Sequence, residues 1–166
     1  MTEYYAHTLE NRPDDEWQTL DSHLVEVADL AQRFSKEIRP DDNLFADLAK
    51  LAGLLHDLGK YRMEFQEYLR KKRQGGVDTA HAVYGAGKAL FEHESLAAAF
   101  AVAGHHAGLY DAGDLDLLVN GEKYQVRARL ADILKHAAEK IKSFEFKEVS
   151  SDDDSQVARC RYEILI

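Results

Sequence analysis

Five histidines and one aspartate are spaced along the chain in a way that could hold divalent metal ions. They are His23, the adjacent pair His56 and Asp57, His81, and the adjacent pair His105 and His106. Imidazole nitrogens and carboxylate oxygens together suit first-row divalent ions. An aspartate that gives one oxygen to each of two ions can hold them about 3.5 to 4 Å apart. We therefore predict a hydrolytic metal site.

Each of these residues also has a plain structural explanation. A single histidine on the apolar side of a helix, such as His23, is more often a core or surface residue than a ligand. Two adjacent pairs beside glycine-containing segments, with two further histidines on helical segments, favour a shared site. The histidines His7, His93 and His136 lack such a context and are not predicted to be ligands.

The elements that must position the site are helices, because apolar residues recur at three- and four-residue steps along most of the chain. A first helix is expected over about residues 17–38, with His23 in its early turns. A second is expected over residues 44–55, with the His56-Asp57 pair on its last turn and Gly59 as its stop. Adjacent helical residues diverge by about 100°, so this pair reaches one cavity only if the cavity lies between them.

The second half of the chain continues the pattern. We expect a short helix over residues 61–72, a helical segment from residue 79 that includes His81, and an alanine-rich helix over residues 96–103 that leads into His105 and His106. Residues 109–124 contain glycines and several aspartates and are expected to form a loop, and residues 126–141 are expected to form another helix. The predicted fold class is all-α, a helical bundle with the metal site between its central helices.

The composition suits one domain over residues 1–166, since 45% of the residues are hydrophobic and a chain of this length buries a normal core. A single cysteine, Cys160, excludes an internal disulfide and a thiolate-based zinc site. The N-terminal residues have neither a basic nor an apolar signal segment, and no apolar run approaches the roughly 18 residues of a membrane span. We expect a cytoplasmic protein with no membrane partner.

The net charge of −9 argues against a large nucleic-acid footprint, because such proteins usually carry a basic surface. The one dense basic cluster is the run from Arg70 to Arg73. This basic cluster is either a solvated helix end or a substrate contact, and the sequence leaves both open.

The motif HDLGK at positions 56–60 resembles that of the HD-domain metal-dependent phosphohydrolase superfamily. More narrowly, it is similar to the N-terminal HD nuclease domain of the CRISPR-associated nuclease-helicase of type I systems. The stretches that extend this resemblance include YAHT at 5–8, DTAHA at 78–82 and AGHHAGL at 103–109. The resemblance covers roughly residues 4–110.

The resemblance implies a helical domain that uses one or two divalent ions to cut DNA, preferentially single-stranded. It implies that His23, His56 and Asp57 hold the first ion, and that Asp57, His81, His105 and His106 hold the second. Lys60 is the candidate for holding a phosphate oxygen or orienting Asp57, and an exposed helix-end lysine is an equal alternative. Manganese, nickel, cobalt, iron, magnesium and zinc are not distinguished by such a ligand set.

One feature departs from the family pattern, which ends with a further aspartate on a late helix. Asp132 is on a predicted helix, but its neighbours do not resemble that segment. The final residues, 159–166, look like the apolar start of the helix that should carry the aspartate. We therefore expect the chain to be an N-terminal fragment of a longer nuclease-helicase, with an under-coordinated first ion and reduced activity.

The expected function is a metal-dependent DNA nuclease in CRISPR interference and antiviral defence. Its expected partners are single-stranded DNA, a helicase domain in the same or a partner chain, and an RNA-guided surveillance complex. One alternative is a phosphohydrolase that acts on nucleotides or cyclic nucleotides, which needs a closed base-binding pocket. Another is a non-catalytic metal-binding helical module.

Overall fold

Most of the residues that the structure describes lie in helices. The computed structural model describes residues 3–146. In these residues the helices are α1 (Leu20–Ile38), α2 (Asn43–Leu55), α3 (Met63–Leu69), α4 (Ala82–Phe91), α5 (Leu96–Gly104), α6 (Ala112–Asn120), α7 (Val126–His136) and α8 (Glu139–Lys142). Short 3-10 turns lie at Asp14–Glu16, Leu58–Tyr61 and Val77–Thr79. The all-α prediction is confirmed for the described residues, which contain no strand and one isolated β-bridge.

Helices α1 and α2 pack against each other along their length. The hydroxyl of Thr19 caps α1 by accepting a hydrogen bond from the backbone N–H of Ser22, so this helix begins at residue 20, later than the sequence predicted. Asp42 caps α2 in the same way through the N–H of Phe45, at 2.8 Å. Such caps satisfy backbone donors that have no partner within the helix. The residues buried in the common core are Leu20, Leu24 and Ala28 of α1 and Leu51, Leu54 and Leu55 of α2.

Helix α4 lies close against the end of α2. A Cβ at Gly85 would lie 1.9 Å from the carbonyl oxygen of Leu55, so only glycine allows this approach. Helix α5 packs against α4 with the buried residues Ala98, Ala99 and Val102. The central helices therefore meet where α2 ends, and the His56-Asp57 pair follows immediately.

The predicted loop over residues 109–124 is wrong, because the structure has helix α6 there. Asp111 starts this helix by accepting a hydrogen bond from the N–H of Asp114, at 2.8 Å. Leu115 and Val119, four residues apart, are each 1% exposed. The glycines and aspartates that suggested a loop lie at the helix ends and on its exposed side.

Three other boundaries also differ from the prediction. The helical segment expected from residue 79 begins only at Ala82, so His81 immediately precedes α4 rather than lying within it. The expected helix over residues 61–72 is shorter, because the chain first makes a 3-10 turn and α3 ends at Leu69. The expected continuous helix over residues 126–141 is interrupted at Ala137, whose φ of −72° and ψ of 147° are extended, before α8 begins. Ala138 is also extended, with φ of −60° and ψ of 152°, so two consecutive residues separate α7 from α8.

None of the described helices has the length and apolarity that crossing a membrane requires. The expectations for Cys160 and for residues 159–166 fall outside the described residues.

Candidate metal centre

Asp57 is the centre of the cluster, and the end of α2 determines its position. Helix α2 stops at Leu55, His56 retains helical backbone angles, and Asp57 leaves the helix with φ of −111° and ψ of 14°. The pair therefore lies just beyond the last turn, rather than on it as predicted. The departure from helical geometry turns both side chains toward the same cavity, and Asp57 is only 2% exposed.

The two oxygens of the Asp57 carboxylate face different histidines. The Nε2 atoms of His23 and His56 each lie 3.2 Å from Oδ2. The Nε2 atoms of His81 and His105 lie 3.2 and 3.5 Å from Oδ1. The first set comes from α1 and the end of α2, and the second from the start of α4 and the end of α5.

His106 completes the group on the Oδ1 side. One ligand atom each from Asp57, His81, His105 and His106 lie within 4.8 Å of one another. The side chain of His106 is exposed, whereas the other residues of the group are partly or fully buried. The structure thus brings together all six residues that the sequence selected as metal ligands.

Backbone carbonyls fix the orientation of three imidazoles. The Nδ1 atoms of His56, His81 and His105 donate hydrogen bonds to the carbonyls of Gly53 at 2.8 Å, Thr79 at 3.4 Å and Val102 at 2.6 Å, respectively. A neutral imidazole with its proton on Nδ1 has a lone pair on Nε2. Such outer contacts select the tautomer that ligates a metal.

A divalent ion suits the donor atoms of this site. Within the described part of the chain, Asp57 Oδ1, His81 Nε2 and His105 Nε2 are buried and have no hydrogen-bond partner. Without a cation between them, the lone pairs on the two nitrogens and the oxygen face one another. A metal ion bound by nitrogen and oxygen would satisfy all three atoms at once.

The charge state of Asp57 fits the same role. Burial raises the pKa of this carboxyl, but contacts with His105, His23, His56 and His81 hold the pKa well below its usual range. Although His106 is exposed, partial burial of its ring lowers its pKa, and the nearby His105 and His81 lower it further. The site therefore offers an ionised carboxylate and, at His106, a neutral imidazole.

Lys60 is a buried partner of Asp57. It is 3% exposed, so the alternative of an exposed helix-end lysine is wrong. Its Nζ lies 2.7 Å from Asp57 Oδ2 and donates to the carbonyl of Ala6 at 3.0 Å. With these two contacts, Lys60 orients Asp57 rather than extending toward solvent.

His7 approaches the cluster although the sequence gave no reason to select it. One ligand atom each from His7, His23 and Asp57 lie within 4.8 Å of one another. Burial lowers the pKa of His7, and Lys60 and His23 lower it further. In the sequence, only the YAHT stretch at residues 5–8 pointed to His7. No apolar periodicity extends from that stretch into α1.

Asp132 does not belong to the site. Its carboxylate accepts a hydrogen bond from Lys135 at 3.0 Å, and its side chain is 74% exposed. The structure therefore agrees with the sequence analysis that Asp132 does not take the place of the family's further aspartate on a late helix.

The chain also matches known proteins across this region. A family model described as the HD domain matches residues 20–140. Ribonuclease Y 1 of Pediococcus pentosaceus is 34% identical over 102 residues, which cover 61% of this chain and 17% of the relative. The chain thus spans less than a fifth of that relative's length, and no solved structure matches. Because the family match includes Asp57 and the five histidines around it, the chain belongs to the HD domain family of the HD phosphohydrolase superfamily.

Proposed function

We propose that this chain is a metal-dependent nuclease that hydrolyses phosphodiester bonds in single-stranded DNA. The proposal rests on the observation that the two oxygens of the Asp57 carboxylate face separate sets of imidazoles. A carboxylate shared in this way suits two neighbouring divalent ions, which serve in-line displacement at phosphorus. The residues that would hold them are His23, His56 and Asp57 for one ion, and Asp57, His81, His105 and His106 for the other.

The side chains around the carboxylate position the donors before any substrate arrives. When bound, divalent ions lower the pKa of water toward neutrality and stabilise charge on phosphoryl oxygens. Lys60 holds Oδ2 of Asp57, and the carbonyls of Gly53 and Val102 hold His56 and His105. Because Asp57 and Lys60 are both buried, their attraction is less screened than it would be in water.

A surface groove beside His81 and His106 supports a single-stranded substrate. The groove has a volume of about 420 Å³, and Tyr110 and Tyr124 line it together with small residues. Aromatic rings stack on the exposed bases of a single strand, whereas a duplex keeps its bases paired inside. A nucleotide next to the scissile phosphate would fit such a groove.

The charge distribution supports delivery of the strand by a partner. Both arginines of the basic cluster contact carboxylates, and they therefore attract phosphates weakly. Together with the net charge of −9, this leaves little surface that could hold a polyanion without help. We propose that a helicase in the same or a partner chain supplies the strand, from DNA opened by an RNA-guided surveillance complex in CRISPR interference.

Other substrates need the same metal chemistry. RNA is favoured by the relative's name, Ribonuclease Y, although the chain covers only a small part of that protein. Nucleotides or cyclic nucleotides need a closed pocket, whereas exposed residues such as Gly76 and His106 border the groove. A metal-binding module without activity would have the same ligands and cleave nothing.

A substrate panel with added Mn²⁺ tests the proposal. The panel contains single-stranded DNA, RNA of the same sequence, duplex DNA and a cyclic dinucleotide. We expect single-stranded DNA to be cleaved fastest, and Asp57→Ala and His81→Ala to lose cleavage while His136→Ala, altered outside the cluster, retains it. Faster cleavage of RNA or of the cyclic dinucleotide would replace the proposed substrate, and metal binding without any cleavage would refute catalysis.

A further inference from the structure

The N-terminal segment, residues 4–7, is fixed against the start of α1. The backbone N–H of Ala6 donates to the carbonyl of Gln18 at 3.0 Å, and the N–H of Leu20 donates to the carbonyl of Tyr4 at 2.8 Å. Tyr5 and Ala6 are 5% and 0% exposed, so this segment is part of the core. The position of His7, the next residue, is therefore determined by the fold.

Two buried side chains connect the same segment to the metal centre. The side-chain amide of Gln66 bonds both backbone groups of Tyr5, each at 3.0 Å. The ammonium of Lys60 bonds the carbonyl of Ala6 at 3.0 Å while it contacts Asp57 Oδ2 at 2.7 Å. One ammonium thus joins the residue before His7 to the central carboxylate.

The imidazole of His7 lies beside the Oδ2 group of ligands. Its ring centroid is 4.7 Å from that of His23, with the rings at 87° to each other. Ligand atoms of His7, His23 and Asp57 lie within 4.8 Å of one another. Ligands of one ion, each about 2.0 to 2.2 Å from it, lie at most roughly 4.4 Å apart. A movement of a few tenths of an ångström, open to an exposed side chain, would bring His7 into that range of His23 and Asp57, the two other members of this group.

We propose that His7 is a protein ligand of the ion on the Oδ2 side of Asp57, together with His23 and His56. Without His7, the Oδ1 side has three imidazoles and the Oδ2 side has two. With His7, each side has three imidazoles and one oxygen of the shared carboxylate. A fourth protein ligand gives the Oδ2 ion a complete nitrogen and oxygen set within the described residues. This role does not depend on which phosphodiester is cleaved.

Metal titration without substrate tests the role. Isothermal titration with Mn²⁺ gives the number and affinity of bound ions, and visible absorption with Co²⁺ reports the ligands around each ion. We expect His7→Ala to weaken the binding of one of the two ions by about tenfold or more. Even residues that only hydrogen-bond to a metal ligand change the metal affinity by that much. Free imidazole should restore the lost affinity. The matched control, His136→Ala, should bind both ions as the original chain does.

A second substitution separates ligation from packing. His7→Phe keeps a ring against His23 but has no ligand atom, so it should lose metal affinity as His7→Ala does. If His7→Ala fails to fold, His7→Phe decides the question. Unchanged affinity for both ions in His7→Ala, or affinity retained in His7→Phe, would overturn the proposal. A chain that binds ions through His7 but cleaves no nucleic acid would refute only the proposed function.

Discussion

Replacing Gly59 with alanine should disturb the side of the metal centre that contains His81. Gly59 lies in the 3-10 turn Leu58–Tyr61, two residues after Asp57. A Cβ at this position would lie 2.4 Å from the carbonyl oxygen and 2.6 Å from the Cα of His81, and ordinary contact begins at 3.4 Å. Because both are backbone atoms, the turn and the start of α4 must separate by about 1 Å, a local overpacking.

The size of the effect follows from two opposing contributions. Overpacking costs about 1 to 3 kcal/mol. Substitution of glycine by alanine stabilises by about 0.4 to 1 kcal/mol through the unfolded chain. We therefore expect the free energy of unfolding to fall by about 1 to 2 kcal/mol. A displacement of about 1 Å is half of a metal–ligand bond of about 2 Å, so the ion on the Oδ1 side should bind at least about tenfold more weakly.

Urea unfolding of the metal-free protein and Mn²⁺ titration measure these two effects. The matched control is Gly104→Ala, at the end of α5, because its Cβ would lie 3.9 Å from the nearest atoms. This control should keep its metal affinity and unfold at an equal or slightly higher urea concentration. If Gly59→Ala matched the control in both measurements, the close approach at Gly59 would not be what positions His81.

Three further predictions concern charge. Asp57→Asn should reduce the amount of bound metal in elemental analysis, and an unchanged metal count would exclude a bridging carboxylate. Because this substitution leaves the buried charge of Lys60 without its partner, it should also lower the stability of the metal-free protein by about 3 to 5 kcal/mol. Burial lowers the pKa of His7, His93 and His106. As the pH falls, these imidazoles therefore take up protons at a higher pH in the unfolded chain than in the folded chain. Urea unfolding should show the stability decreasing as the pH falls below about 6.5. Lys71→Ala combined with Lys72→Ala should leave the salt dependence of single-stranded DNA binding unchanged, whereas a slope reduced by about 0.7 per lysine would identify phosphate contacts.

The convergence of the six side chains could be predicted from the sequence because these residues lie at or near helix ends. His23 follows the cap at Thr19, and His105 follows the last residue of α5. Apolar periodicity and capping residues locate such ends from local sequence alone. The difficulty of directing adjacent residues His56 and Asp57 into one cavity disappears because the helix stops before them.

Features that depend on distant contacts could not be predicted. The buried ammonium of Lys60 donates a hydrogen bond to the carbonyl of Ala6, 54 residues earlier. His7 reaches the site through the same contact and through Gln66, which is 61 residues from Tyr5. No periodicity or local motif encodes such pairings, since they exist only once the segments have packed. For this reason the sequence could not decide between the two alternatives for Lys60, and it gave no sign that His7 lies near the cluster.

The electrostatics of the centre account for how an acidic chain could act on a polyanion. The buried charges of Asp57 and Lys60 cancel, and burial favours the neutral forms of His7 and His106. Two divalent ions would then add four positive charges to a locally neutral site, close to a groove with few charged side chains. Attraction of a phosphate would come from the bound ions rather than from surface lysines. The net charge of −9 is therefore compatible with nuclease chemistry, because affinity for phosphate is concentrated at the one place where hydrolysis would occur.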